Sequence, residues 1–317
     1  QARRVITRAD ETRVVADEAP VLAVDVGGTT IKAELVAGDQ ILGSDRRPTP
    51  RGAAAVDAIG DLGDSLLRCA PTVPRAGVVL PGVVDRHRGV GVFSANVGWE
   101  NVPAGPQLAG RWGIPVVVDH DVMAAGWAEW RRGAGRGVDD LAFVAVGTGI
   151  SAALVSGGRL VRGGSGQAGE LGHVVVRPDG PPCGCGARGC LETVASATAI
   201  AHAYQAASGQ SVAGAVDVLA RAAADAVAQS VVTEAVAALA DGLAALVQLV
   251  APARIVIGGG LADAGASWLD AVRTELDRRC RVVPAPPVVA ARFGARAGVV
   301  GAALLARLGP IDAGRES

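Results

Sequence analysis

Two stretches of this chain share one plan. "VLAVDVGGTTIKAELVAGDQILGSDRR" (residues 21–47) reads as strand, glycine turn, strand, turn, strand, and "LAFVAVGTGISAALVSGGRLV" (141–161) repeats the layout. Apolar runs of strand length bounded by Gly-Gly, Gly-Asp and Gly-Thr-Gly spell buried strands joined by tight turns. Two such runs predict two antiparallel meanders and a duplicated α/β unit. A helix over 53–69 and a strand "RAGVVL" ending at Pro81-Gly82 follow the first meander, and "VVVDHDVMAAGWAEW" then reads as a strand running into a helix. After the second meander come helices over 193–207 and 214–250, a strand "ARIVIGGG", a helix, a strand "PVVAARF" and a last helix from about 297. Mixed elements of this kind predict an α/β protein of two lobes, with a ligand in the cleft between them. The expected domains are a polar extension (1–19), a smaller N-terminal α/β domain (20–118, joined by the C-terminal helix about 297–317), and a larger C-terminal α/β domain (119–296).

Composition narrows the partners. The 317 residues carry 30 basic and 31 acidic side chains, a net charge of −1, which predicts no attraction to nucleic acid or to anionic lipid. Residues 1–20 are charged and lack the apolar core of a signal peptide. The most apolar helix, near 225–251, is interrupted by Glu234, Asp241 and Gln248, which predicts a buried soluble helix and no membrane span. Five cysteines without secretory signals point to a reducing cytoplasm.

The glycine turns suit phosphate. Gly27, Gly28, Thr29 and Thr30 follow Asp25 at the end of a strand; Gly147, Thr148 and Gly149 repeat the device, and Gly258, Gly259 and Gly260 make a third cluster. Glycines let backbone N–H groups approach an anion, and threonine hydroxyls add donors. One turn would take the β-phosphate, one the γ-phosphate, and one would lie against adenosine. Asp25 would repel that anion unless Mg²⁺ lay between, directly or through water. Lys32, the sole lysine, is either a phosphate contact or a solvent-facing strand residue. Asp121 stands at a strand–helix junction beside Asp119; it is either a helix cap or a general base able to accept a hydroxyl proton.

Three of the five cysteines crowd one glycine-rich loop, "CGCGARGC". With His173 ten residues upstream, Cys183, Cys185 and Cys190 offer four ligands of the kind zinc prefers. Four protein ligands leave no open position, which predicts a structural zinc.

The ordered set "DVGGTTIK", "LPGVVD", "NVGW", "HDVMAAGWAE", "GTGI", "GELGH" and "CGCGARGC" resembles the ROK (repressor, open reading frame, kinase) family over residues 20–307. The resemblance implies the two-lobed hexokinase and actin-like ATPase (ribonuclease H-like) fold, and ATP- and Mg²⁺-dependent phosphorylation of the 6-hydroxyl of glucose or a close relative, with Asp121 as base. It implies sugar contacts from Asn96, His120, Glu170, His173 and Glu192. Trp99, by contrast, is expected in the core. The usual family motif is Asn-Asp-Ala-Asn, so His120 and Met123 depart from it. The resemblance further implies a dimer or tetramer. Alternatives are an N-acetylglucosamine or N-acetylmannosamine kinase, polyphosphate as donor, a sugar-binding module without catalysis, and a sugar-sensing ROK regulator. The regulator would need a DNA-binding segment ahead of residue 20.

Overall fold

A computed structural model describes residues 19–70, 72–261 and 265–311. Residues 1–18 of the expected polar extension lie outside the described residues. The chain divides into two compact units, one drawn from Gln1–Ala125 and Gly298–Ile311, the other from Gly126–Ala297.

In the first unit, β1 (Val21–Val26), β2 (Thr30–Ala37) and β3 (Gln40–Pro48) form the expected meander. Helix α1 (Ala54–Leu67) follows, then β4 (Ala76–Leu80). Three short strands, β5 (Val83–Asp85), β6 (Val90–Ser94) and β7 (Trp99–Val102), make a small antiparallel sheet of their own. Helix α2 (Ala104–Trp112) leads to β8 (Val116–His120), and α3 (Asp121–Arg132) begins directly after it. The main sheet runs β3-β2-β1-β4-β8, with β4 parallel to β1 and β8 parallel to β4. β1 and β4 are almost wholly buried, as unbroken apolar runs require of central parallel strands, whereas β3 is an exposed edge. The small sheet and α2 had no counterpart in the sequence reading, because strands of three to five residues carry too little periodicity. Trp99 is 2% exposed, in the core as expected.

The second unit repeats the plan. β9 (Leu141–Val146), β10 (Ile150–Ser156) and β11 (Arg159–Val161) form the second meander. Helices α4 (Glu192–Ala195), α5 (Ala197–Ser208), α6 (Ala215–Arg221) and α7 (Ala226–Val250) follow. Next come β12 (Arg254–Gly258), α8 (Ala266–Arg279) and β13 (Val288–Ala290). The strand order β11-β10-β9-β12-β13 matches the first sheet: a meander whose inner strand is continued by two parallel strands. The repeat legible in the sequence is therefore a repeat of topology.

The expected single helix over 214–250 is two helices. Asp225 breaks it by accepting from the Val227 and Ala228 N–H groups (2.8 and 3.2 Å), which starts α7 afresh. Ser196 likewise separates α4 from α5 by capping the Ala199 N–H. The final helix, α9 (Ala297–Leu308), stops at Gly309, whose φ of +83° is left-handed, and Pro310 follows. By length and composition α7 could cross a membrane, yet half of its most apolar stretch is buried, against α5 and α8 among others.

A carboxylate staples the second unit. Glu129 of α3 is fully buried and accepts from the Ala134 N–H (2.8 Å), the Arg292 N–H (3.1 Å) and the Phe293 N–H (2.8 Å). Burial of a carboxylate is costly unless donors replace its water, and here three do. Glu129→Ala strands those donors and is expected to cost about 3 kcal/mol. Urea unfolding should show a lower midpoint at unchanged slope; an unmoved midpoint would show that the staple carries no stability.

Candidate active site

In the first unit the site lies at the carboxyl ends of β1 and β8, where open α/β sheets place ligands. The β1–β2 turn is closed by the Gly27 N–H donating to the Thr30 carbonyl (3.0 Å). Thr49 braces it from outside: its hydroxyl donates to the Gly27 carbonyl (2.7 Å) and its N–H to the Thr29 carbonyl (3.0 Å). Thr29 is exposed at the tip. Asn96 lies on this turn, for a Cβ added at Gly28 would stand 3.2 Å from the Asn96 Cβ.

Asp25 sits opposite Lys32 in the β1–β2 register. Burial, then the neighbouring Asp121 charge, push the Asp25 carboxyl up to about 7, and Lys32 opposes the shift. Asp121 is the first residue of α3, so the cap position falls on His120. Burial raises the Asp121 carboxyl above the usual range, against the pull of His120 and of the Val122 N–H. That N–H donates to Asp121 Oδ1 at 2.7 Å. Met123, 2% exposed, lies in the core. Two desolvated carboxylates beside a glycine turn form a place where a cation and a proton are both wanted.

In the second unit two glycine turns meet. A Cβ on Gly147 would stand 3.9 Å from the Gly260 nitrogen, and one on Gly259 (φ +83°) would meet the Val146 carbonyl at 2.5 Å. Thr148 is exposed at the turn tip. Glu192 borders this turn: a Cβ on Gly149 would lie 2.9 Å from Glu192 Oε2. Its other oxygen is 3.4 Å from the Cys183 sulfur and 3.6 Å from His173 Nδ1. His173 Nε2 faces Glu170 Oε2 at 3.7 Å.

The ligand atoms of His173, Cys183, Cys185 and Cys190 lie within 4.8 Å of one another. Cys183 is 3.6 Å from His173 Nδ1, and Cys185 is 3.7 Å from Cys190. Those separations suit ligands set tetrahedrally about one ion at roughly 2.0–2.3 Å, so the four residues fit zinc. The Ala187 N–H, the foremost of several hydrogen bonds, brings the Cys185 thiol down to about 7, whereas burial pushes Cys183 up to about 12.

Residues 21–308 match the ROK family. The chain belongs to the ROK family. Among its relatives, a glucokinase of Streptomyces coelicolor is 35% identical over 309 residues, covering 90% of this chain and 97% of its own. An N-acetylmannosamine kinase of Citrobacter koseri is 34% identical over 291 residues, covering 90% and 98%. The solved structure of a ROK family glucokinase from Streptomyces griseus, in complex with glucose and AMPPNP, is 34% identical with a TM-score of 0.82, covering 92% of this chain and 100% of that one.

Three features of this ROK protein escaped the sequence reading. Thr49 braces the first turn from a loop that carries no motif. Arg177, just after the "GELGH" segment, donates to Glu234 (2.6 Å) and Asp241 (2.7 Å) on α7, while Arg279 of α8 also donates to Asp241. The charges that interrupt the apolar helix therefore hold the loop carrying the cysteines. Gly298, in the first turn of α9, presses on Asp25, where an added Cβ would lie 2.6 Å from the carboxyl carbon. No local pattern distinguishes Gly298 from other helix glycines.

Gly298→Ala is accordingly expected to displace the Asp25 carboxylate and lower turnover about a hundredfold, the scale of a misplacement near 1 Å. Melting temperature and steady-state kinetics measured together check it. Turnover within twofold of wild type would show that Asp25 has room to move.

Proposed function

We propose that this ATP-dependent sugar kinase transfers the γ-phosphoryl group of ATP to the 6-hydroxyl of glucose, with Asp121 accepting the hydroxyl proton. The observation that carries this reading is the pair Asp25 and Asp121, two desolvated carboxylates at the carboxyl ends of β1 and β8, parallel strands of one sheet with β4 between them, beside a glycine turn. A raised carboxyl is the better base near neutral pH. Asp25 would hold Mg²⁺, directly or through water, and the ion would supply charge neutralisation on the phosphates. The N–H groups of Gly27, Gly28, Thr29 and Thr30, with Lys32, would cradle phosphate in the first unit. Gly147, Thr148 and Gly149 would do so in the second, and Gly258, Gly259 and Gly260 would lie along the nucleotide.

Asn96 and Asp121 in the first unit, and Glu170, His173 and Glu192 in the second, are the groups we assign to sugar hydroxyls. His173 Nδ1 with Cys183, Cys185 and Cys190 would hold a structural zinc, and Glu170 would steady the other ring nitrogen. Thiolates of this kind suit a reducing cytoplasm, and we expect a dimer or tetramer. The similarity to N-acetylmannosamine kinases keeps a second sugar class in play. ADP release measured over glucose, mannose, N-acetylglucosamine and N-acetylmannosamine separates the two.

Asp121→Asn keeps the shape and removes the acceptor, so turnover is expected to fall about 10²–10⁴-fold. Calorimetric glucose binding should be nearly unchanged. Retention of more than a tenth of turnover, on the order of a single lost hydrogen bond rather than a lost base, would remove Asp121 from this role. Elemental analysis of protein purified without chelator is expected to give one zinc per chain, and Cys185→Ser to lower both melting temperature and glucose affinity. Metal-free protein of wild-type stability would overturn the zinc assignment.

A further inference from the structure

His120 stands where the family motif has asparagine, and its surroundings give it a different task. Three neighbours hold it. The Asp119 carboxylate, 2% exposed, accepts from the His120 backbone N–H at 2.8 Å. The Met123 N–H, in the first turn of α3, donates to His120 Nδ1 at 3.4 Å. His120 Nε2 lies 3.4 Å from Asp121 Oδ1. The ring thus occupies the cap position of α3 and does there what a serine or aspartate oxygen does elsewhere.

The capping contact decides the tautomer. A nitrogen that accepts the Met123 N–H carries no proton, so in the neutral ring the proton is on Nε2. That N–H faces Asp121 Oδ1. A neutral imidazole has one donor and one acceptor; here the acceptor takes the Met123 N–H and the donor lies 3.4 Å from Asp121 Oδ1. An asparagine amide has two donors and an oxygen with two lone pairs, so it can cap a helix and still bind a sugar hydroxyl. The histidine has spent its one acceptor on the cap, and its one donor is beside Asp121.

We infer that His120 is a positioning residue for Asp121, and that it reads no hydroxyl of the sugar. Asp121 Oδ1 receives the Val122 N–H at 2.7 Å, and His120 Nε2 stands 3.4 Å from the same oxygen, which together restrict the carboxylate. Oδ2 is then the oxygen that takes the proton from the attacking hydroxyl. This inference rests on the reading of Asp121 as the general base. Its chemical consequence is a site with one fewer hydroxyl ligand than a relative carrying asparagine, and correspondingly weaker discrimination at the hydroxyls that asparagine would read.

Two measurements on the full chain test it. The chain has four histidines, so long-range ¹H–¹⁵N correlation on histidine-labelled protein, compared with a His120→Ser sample, isolates the ring. We expect a protonated Nε2 and a bare Nδ1, with the same pattern after glucose is added. A protonated Nδ1 overturns the inference, and this arm needs no turnover, so it stands apart from any failure of the proposed reaction. In kinetics, His120→Ser keeps a capping oxygen but cannot span to Asp121. We expect kcat to fall about tenfold, with glucose KM within about twofold and galactose discrimination unchanged. A glucose KM raised about tenfold at unchanged kcat, the signature of lost uniform binding, would make His120 a sugar ligand and overturn the inference. Loss of Asp121→Asn sensitivity, with the expected tautomer intact, would instead overturn the base and leave the His120 geometry standing.

Discussion

Two partly buried carboxylates, Asp25 and Asp121, set the electrostatics at the strand ends of the first unit. Burial raises both the Asp25 and the Asp121 carboxyls above their ordinary range, and the Asp121 charge raises Asp25 further. Such a pair is unfavourable unless positive charge reaches it. The protein offsets only part: Lys32 across the hairpin opposes the rise of Asp25, and N–H groups at the start of α3, with the His120 ring alongside, oppose that of Asp121. The remainder is left for what binds. A cation beside Asp25 and a hydroxyl beside Asp121, as the proposed function would place them, would relieve that repulsion.

Geometry at that pair depends on small residues. Gly298 lets α9 approach Asp25 more closely than any side chain would permit, and Gly28 lets Asn96 lie on the β1–β2 turn. These close approaches are between glycine backbone and a neighbouring side chain, so an added methyl group would have to displace that side chain. They bring a helix from the end of the chain onto a strand from its beginning.

The second unit solves a different problem, that of holding a loop with little apolar content. The cysteine segment buries few side chains, so its position is set by polar anchors: Arg177 on Glu234 and Asp241, and Glu192 between Gly149 and the ligand cluster. Asp241 accepts from both Arg177 and Arg279, which holds its carboxyl low once burial is offset. Partly buried ion pairs of this kind contribute less to net stability than to specifying one arrangement, and here the arrangement carries Glu170, His173 and Glu192.

The sequence by itself determined the meanders, the glycine turns and the clustered thiols. Each is written in contiguous residues: apolar runs of strand length, glycine pairs at turns, and ligand types at metal spacing. It also placed Asp25 and Asp121 at strand ends, because strand ends are local. It did not reveal the small sheet of β5, β6 and β7, the break before α7, or the end of α9 at Leu308. There, short elements and single capping residues outweigh periodicity. Only the tertiary structure decided that Gly298 meets Asp25, that Arg177 meets Asp241, and that the His120 ring accepts from the Met123 N–H with its other nitrogen 3.4 Å from Asp121. These facts depend on which distant backbones come within hydrogen-bond or van der Waals range, and packing sets that distance, whatever the order of residues along any one element.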